Sequence, residues 1–363
     1  MNASVEFLPG AHAAPARSGA VGSTAAFDRH PLIDPASLVR LQDGVLEVPG
    51  ALELRHGGRL DKVRVAWHLA GPAGAPVICA LGGISAHRRV CTPEGSQAGW
   101  WADIAGPDRA LDTRRYRILS FDYLGGSGDT TGPTGAQSFP ALSSYDQAQL
   151  LLLVLDHLQL RSLRAFVGSS YGGMVALAFG ELYPDRVSQL VVIGAADRAH
   201  PMATAWRSVQ RRMVRFAIES GRPAEGLQLA RALAMSTYRS AEEFAARFSA
   251  PPLRESEQFV FPVESYLFAR GSDYATRYRP ESFLCLSESI DLHRVDASRI
   301  FVPTTAVGVR EDQLVPLTDI RTMVARMPTA RLCELSSVYG HDAFLKETEQ
   351  LRRVFAAALE NVS

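Results

Sequence analysis

RAFVGSSYGGMVALAFG, Arg164–Gly180, sets Ser170 two residues from a glycine on either side, directly after one apolar run and directly before another. The first run reads as a strand and the second as a helix, so Gly168-Ser169-Ser170-Tyr171-Gly172 falls at a strand-to-helix turn. A serine at such a turn has a strained backbone, and its neighbours must be small because strand and helix approach closely. The bland alternative is a glycine-rich turn with an incidental serine; the strand before and the helix after favour a nucleophile. A neutral hydroxyl attacks poorly, so the rest of the chain must supply a base, an acid and donors for an oxyanion.

Outward from this turn the chain alternates between strand-like and helix-like stretches. VRVAWHLAG (Val63–Gly71), APVICALGG (Ala75–Gly83) and RYRILSFDYLG (Arg115–Gly125) precede it; QLVVIGAA (Gln189–Ala196), IFVPTTAVGV (Ile300–Val309) and ARLCELSS (Ala330–Ser337) follow it. The later runs are short, apolar and β-branched, the pattern of parallel strands covered on both faces. Between strands, SYDQAQLLLLVLDHL opens on Ser144 as its N-cap, YGGMVALAFGELYP stops at Pro184, and TDIRTMVARM lies between the last two strands. Alternating strands and helices predict an α/β protein with an open, mostly parallel, doubly wound sheet. Strand signals vanish between about Asp197 and Arg299, where helical stretches rich in Ala, Arg, Leu and Glu replace them. An insertion of this size between two strands packs most simply as a helical cap over the C-terminal edge of the sheet. The expected organisation is a mobile arm over residues 1–38, a core over 39–196 and 300–363, and a cap over 197–299.

Composition narrows the partners. Lys+Arg and Asp+Glu both number 38, for a formal charge of +0, so no global field draws the chain to nucleic acid or to an anionic membrane. The longest apolar run, Leu150–Leu155, is far too short to span a bilayer. Cys79, Cys91, Cys285 and Cys333 lack metal-ligand spacing, no metal is expected, and reduced thiols in a cytoplasmic protein are the ordinary reading. The N-terminus shows neither the basic start nor the apolar core of a signal peptide.

Nine histidines compete for the role of base. His12 and His30 lie in the arm, His56, His68 and His157 in surface or strand contexts, His200 and His293 in the cap, and His87 just past a strand. His341 differs: SSVYGHDAFL places it in a loop after the last strand, where a sheet of this order brings it back over the turn at Ser170. The acid is expected at the end of the preceding strand, where TTAVGVREDQLVP offers Asp312 as first choice and Glu311 as alternative. Its task is to fix the imidazole tautomer and stabilise the imidazolium. The oxyanion donors are expected to be the backbone N–H of Tyr171 and that of Leu81, with Gly82 as the close alternative. These parts define serine acyl chemistry on an α/β-hydrolase fold with a helical cap.

From about Val63 to the C-terminus the sequence also resembles the homoserine O-acyltransferases of methionine biosynthesis. The resemblance is carried by GWWADIAGPDRALDTRRYRI, LGGSGDTTGP, GLQLARALAMSTYRS, VESYL, YRPESFLCLSESIDLH and VYGHDAFLKETE, in that order. It implies that Ser170, Asp312 and His341 form the triad and that Leu81 and Tyr171 give the oxyanion donors. It also implies that Arg231 holds the carboxylate of L-homoserine, that Tyr238 lies nearby, and that Asp342 takes the ammonium. A zwitterionic acceptor needs such a cation and such an anion. The family uses acyl-CoA, either succinyl-CoA or acetyl-CoA, as co-substrate without a permanently bound cofactor, works through an acyl-serine, and forms homodimers. Two departures stand out: CALGG where His-Ala-Leu-Thr/Ser-Gly is usual, and GSSYGG, which puts Tyr171 where methionine is common. A succinyl donor is favoured over acetyl by cations near the oxyanion loop and the acid: His87, Arg88, Arg89 and Arg310. The same cations are equally suited to CoA phosphates. The alternatives are a serine esterase or lactonase, an O-acyltransferase for another amino-acid alcohol such as serine, and a non-catalytic binding protein of the same fold.

Overall fold

The apolar runs pair into one nine-stranded sheet in the computed structural model, which describes residues 6–9, 40–91, 99–135 and 138–359. Its strands are β1 Glu6–Pro9, β2 Arg40–Glu47, β3 Arg64–Gly71, β4 Val77–Leu81, β5 Arg117–Phe121, β6 Ala165–Ser169, β7 Leu190–Ile193, β8 Thr304–Val309 and β9 Ala330–Leu335. They lie in the order β1-β9-β8-β7-β6-β4-β5-β3-β2. From β5 through β9 neighbouring strands run parallel, whereas β3, β2 and β1 join the edges antiparallel. β4, β6, β7 and β8 are buried at every residue, which explains why they read as unbroken apolar runs instead of alternating ones.

The described residues also form ten α-helices: α1 Ser144–His157, α2 Tyr171–Leu182, α3 Pro201–Glu219, α4 Pro223–Tyr238, α5 Ala241–Arg247, α6 Pro262–Ala275, α7 Pro280–Leu292, α8 Leu317–Arg326, α9 Ala343–Lys346 and α10 Thr348–Leu359. Alternate strand residues face opposite layers. Cys79, Leu81, Phe166 and Val192 pack with α1, α2 and α8; Ile78, Ala80, Val167 and Val191 pack with α10 and the 99–116 segment. None of the described helices is long and apolar enough to cross a membrane. All four cysteines are unpaired thiols.

Three local features differ from the sequence reading, each for a physical reason. The N-cap of α1 is Ser143, not Ser144: Asp146 at the third helical position accepts from the Ser143 amide at 2.7 Å, and its own amide donates back to the Ser143 hydroxyl. That reciprocal pairing is a capping box, which selects between adjacent serines. Within the segment read as an arm, Glu6–Pro9 form β1 along β9; an open sheet edge recruits a partner through backbone groups alone. The rest of 1–38, apart from those residues, lies outside the described chain. Finally, the helical insertion between β7 and β8 contains a small hairpin, Leu253–Glu255 with Gln258–Val260; its strands are almost wholly exposed and so carry no alternation to read.

The inserted helices build a small core of their own from Val214, Leu227, Ala230, Tyr274, Tyr278 and Phe283. In the core layer under α10, Phe355 stands edge-on to Trp101 at 6.0 Å and is 1% exposed. Phe355→Ala is therefore expected to lower stability by about 3–5 kcal/mol, read as a shift of the urea midpoint.

Candidate active site

Ser170 leaves β6 with φ 54° and ψ −122°, a backbone that L residues rarely adopt. Its amide donates to the Ile193 carbonyl at 2.8 Å, and its carbonyl accepts from the amides of Gly173 and Met174 at 2.9 and 3.2 Å. The glycines on either side answer steric demands. A Cβ on Gly168 would strike the Gly172 carbonyl, and a Cβ on Gly172 would strike that of Leu81. The hydroxyl is thus held at the C-terminal edge of the sheet, between β4 and β7.

His341 arrives in a single helical turn, Gly340–Asp342, after β9. Its Nε2 lies 2.8 Å from Ser170 Oγ, and its Nδ1 lies 2.6 Å from Asp312 Oδ2. The other carboxylate oxygen, Oδ1, accepts from the amides of Leu314 and Val315 at 2.8 and 3.0 Å, so the acid cannot swing away. With Nδ1–H donated to Asp312, Nε2 is left to accept the serine proton. Burial works against the imidazolium, but the charge and hydrogen bond of Asp312, helped by Asp342, outweigh both burial and the opposing Arg207. The net effect raises the His341 pKa above 6.5. Glu311, the alternative acid, is occupied elsewhere, accepting from the Ser336 hydroxyl at 2.5 Å and the Ser337 amide at 2.7 Å. Gly194 makes room behind the pair. Its φ is +58°, and a Cβ there would come within 3.5 Å of His341 Cε1 and 3.6 Å of Asp312 Oδ2.

The first amides of a helix have no intrahelical acceptor. That of Gly172 donates to the Gly82 carbonyl at 2.9 Å, while among the described residues that of Tyr171 has no acceptor. Leu81 ends β4 with its carbonyl against Gly172. Gly82 acts through its carbonyl, which also accepts from the Tyr123 hydroxyl at 2.6 Å. Gly83, which sequence reasoning missed, lies against the nucleophile: a Cβ on it would stand 4.0 Å from Ser170 Oγ. The Tyr171 ring is buried edge-on to Tyr123 at 5.0 Å, and its hydroxyl shares a 2.6 Å hydrogen bond with Ser289 of α7. The tyrosine thus ties the serine turn to the inserted helices.

Arg231, Tyr238 and Asp342 line the same cavity of about 250 Å³ as Ser170 and His341. The Arg231 guanidinium lies 5.1 and 4.8 Å from the rings of Tyr238 and Tyr274 and donates to the Tyr238 hydroxyl at 3.3 Å. It forms no ion pair with a carboxylate among the described residues. Tyr238 stands edge-on to His341 at 5.8 Å. Asp342 is buried and accepts from Arg239 Nε at 3.4 Å, a guanidinium it shares with Glu243.

Arg207 of α3 also lines this cavity, and no sequence signal marks it out from any solvated helix cation. Arg207 and Arg211 each approach Asp291 at 2.6 Å; two guanidiniums sharing one carboxylate leave one positive charge over. The cations singled out from the sequence do not line it. Arg88 binds Asp122 and Asp129 at 2.5 and 2.8 Å, Arg89 lies 4.0 Å from Asp43, and Arg310 lies 3.5 Å from Glu334. Acids a few residues away in space, invisible in the sequence, claim them. His87 lines a neighbouring cavity of about 500 Å³ that meets the first at Trp100 and Arg231.

A serine on a left-handed turn between a parallel strand and a helix, with histidine and aspartate on later loops, defines the α/β-hydrolase class. The chain matches the family described as the alpha/beta hydrolase fold over residues 82–348. It is 41% identical to a homoserine O-succinyltransferase of Xanthomonas campestris pv. campestris, over 85% of this chain and 82% of that one. It is 36% identical to a homoserine O-acetyltransferase of Thermus thermophilus, over 72% of each. In structure it superposes on the crystal structure of esterase E22 with a TM-score of 0.78 at 19% identity, covering 88% of this chain and all of that one. The chain belongs to the homoserine O-acyltransferase family, and by class it is an O-acyltransferase.

Two expectations follow from the geometry. His341 must be neutral to accept the serine proton, so kcat/KM falls as pH drops through its raised pKa. The acid limb of the pH profile should therefore lie above 6.5. Tyr123→Phe removes one of the two donors on the Gly82 carbonyl and should lower kcat by roughly five- to tenfold with KM little changed, as measured by steady-state kinetics.

Proposed function

We propose that this protein transfers the succinyl group of succinyl-CoA to the γ-hydroxyl of L-homoserine through an acyl-enzyme on Ser170, in methionine biosynthesis. One observation carries the reading. A single cavity is lined by Ser170 and His341, with Asp312 behind the imidazole, by the Arg231 guanidinium, which has no ion pair among the described residues, by the carboxylate of Asp342 and by the surplus cation at Arg207. Arg231 and Asp342 suit the carboxylate and ammonium of a zwitterionic acceptor, with Tyr238 holding the arginine in place. Arg207 suits the distal carboxylate of a succinyl group; an acetyl group gives that charge no task.

In the first half-reaction Ser170 Oγ attacks the thioester carbonyl and passes its proton to His341 Nε2. Asp312 stabilises the imidazolium, while the amides of Tyr171 and Leu81 receive the oxyanion. Collapse expels the CoA thiolate, which takes the proton from His341. In the second half-reaction the homoserine hydroxyl gives its proton to Nε2 and attacks the acyl-serine, and collapse returns a proton to Ser170. Water reaching the acyl-enzyme would turn transfer into hydrolysis, so the insertion over 197–299 acts as a cap that roofs the site. Four unpaired cysteines suit the reducing cytoplasm. A second copy of the chain covers the exposed stripe Met202, Val209 and Phe216 along α3, giving a homodimer.

Initial rates with both substrates varied should give parallel double-reciprocal lines, and homoserine should be acylated in preference to serine. Steady CoA release without any acceptor, at the same rate as with homoserine, would make the protein a hydrolase. Arg207→Leu should raise KM for succinyl-CoA about tenfold or more while leaving acetyl-CoA turnover within a factor of about two. Equal effects on both donors would remove the succinyl assignment.

A further inference from the structure

A third cavity, of about 350 Å³, also adjoins the one at Ser170, and its wall carries Arg55, Arg198, Arg294, Arg299 and Arg326. Arg198 also lines the cavity that holds Ser170, so the two adjoin at a single side chain. Arg198 and Arg294 face each other across an isolated antiparallel bridge, which holds these two arginine positions side by side. The first lies on the segment leaving β7 and the second on the segment leaving α7.

The acids in this wall are Glu181, Asp197 and Asp296. They are already in use. Arg326 binds Asp197 and Asp296 at 2.8 and 3.0 Å, Arg299 binds Glu181 at 3.4 Å, and Arg198 lies 3.8 Å from Asp197. Glu181 accepts in addition from the Tyr145 hydroxyl. Five guanidiniums thus face three carboxylates. A structural lattice joining α2, α8 and the base of the insertion accounts for Arg198, Arg299 and Arg326, but not for the remaining two. The Arg55 guanidinium lies 4.6 Å over the Tyr145 ring while the residue's backbone amide donates to Asp146 Oδ1 at 2.7 Å; neither the guanidinium of Arg55 nor that of Arg294 forms an ion pair among the described residues. Like charges gathered in one concavity repel one another and raise the local concentration of anions.

We propose that this cavity binds the phosphate groups of the acyl donor's carrier, the 3′-phosphate and diphosphate of CoA, with the thioester arm passing Arg198 to reach Ser170. Planar guanidiniums match phosphate oxygens in pairs, and a phosphorylated carrier cancels the surplus charge. Catalysis at Ser170 then needs no contact with these arginines; they set donor affinity alone. This inference rests on the acyl-CoA reading above.

The test is steady-state kinetics of wild type and the Arg55→Gln/Arg294→Gln double variant with three donors: succinyl-CoA, 3′-dephospho-succinyl-CoA and the succinyl thioester of N-acetylcysteamine, which has no phosphate. The double variant should raise KM for succinyl-CoA about tenfold with kcat unchanged, and leave kcat/KM for the short thioester as in wild type. Loss of the 3′-phosphate should cost wild type more than the variant. Adenosine 3′,5′-bisphosphate should compete with succinyl-CoA in wild type and about tenfold more weakly in the variant.

An unchanged KM for succinyl-CoA overturns the proposal, as does an equal loss on the short thioester, which would mean the arginines serve the fold. Inorganic phosphate that binds without competing with succinyl-CoA makes the cavity a free-anion site and also overturns it. If wild type acylates homoserine from neither thioester, the donor reading itself fails, and this inference with it.

Discussion

The whole arrangement depends on one strained residue. Ser170 can hold φ 54° only because the structure on both sides over-determines it. β6 is locked between β4 and β7, α2 begins at the next residue, and the two glycines let strand, helix and the end of β4 come within van der Waals limits of one another. Any side chain at either glycine would push α2 away from β4, and with it the Tyr171 amide. The cost of the strained backbone is set against burial of the strands and helices around it, a large, non-directional term. What it secures is directional: a hydroxyl aimed out of the sheet, towards an imidazole that comes from a segment 171 residues further along the chain.

Charge is distributed in the same spirit. Most arginines near the site are matched by carboxylates and act as struts; the Arg88 cluster with Asp43, Asp122 and Asp129 is of this kind. Where positive charge is left over, it faces a cavity. Arg231 rests on two aromatic rings instead of an acid, and Arg207 with Arg211 exceeds Asp291 by one charge. Charge left without a carboxylate of its own is costly once it loses water, which is the physical ground for the anionic ligands proposed at these two positions.

How much of this can be read from the sequence follows from how local each demand is. The turn at Ser170 is legible because its requirements fall within five residues, and the proximity of His341 and Asp312 follows from strand order. Buried parallel strands are legible because both faces are apolar. The N-cap of α1 is off by one because Ser143 and Ser144 compete and only Asp146, three residues on, decides between them. β1 is illegible because its pairing is made by backbone groups to a strand far along the chain. Arg207 is illegible for a related reason. What separates it from Arg88 is which carboxylates fold beside it, a long-range property that no local pattern encodes. Gly83 and Gly194 are intermediate cases, glycines just past strand ends that the strand–loop pattern admits but does not single out.

The central claim is that Ser170 becomes covalently acylated by a CoA thioester before the acceptor reacts. Its most direct test is intact-protein mass spectrometry of the enzyme incubated with succinyl-CoA alone, followed by peptide mapping. The account predicts one succinyl group per chain, on the peptide containing Ser170, absent from the Ser170→Ala variant and discharged when homoserine is added. A wild-type enzyme that turns over with homoserine yet never carries the acyl group, or carries it on another residue, would contradict it.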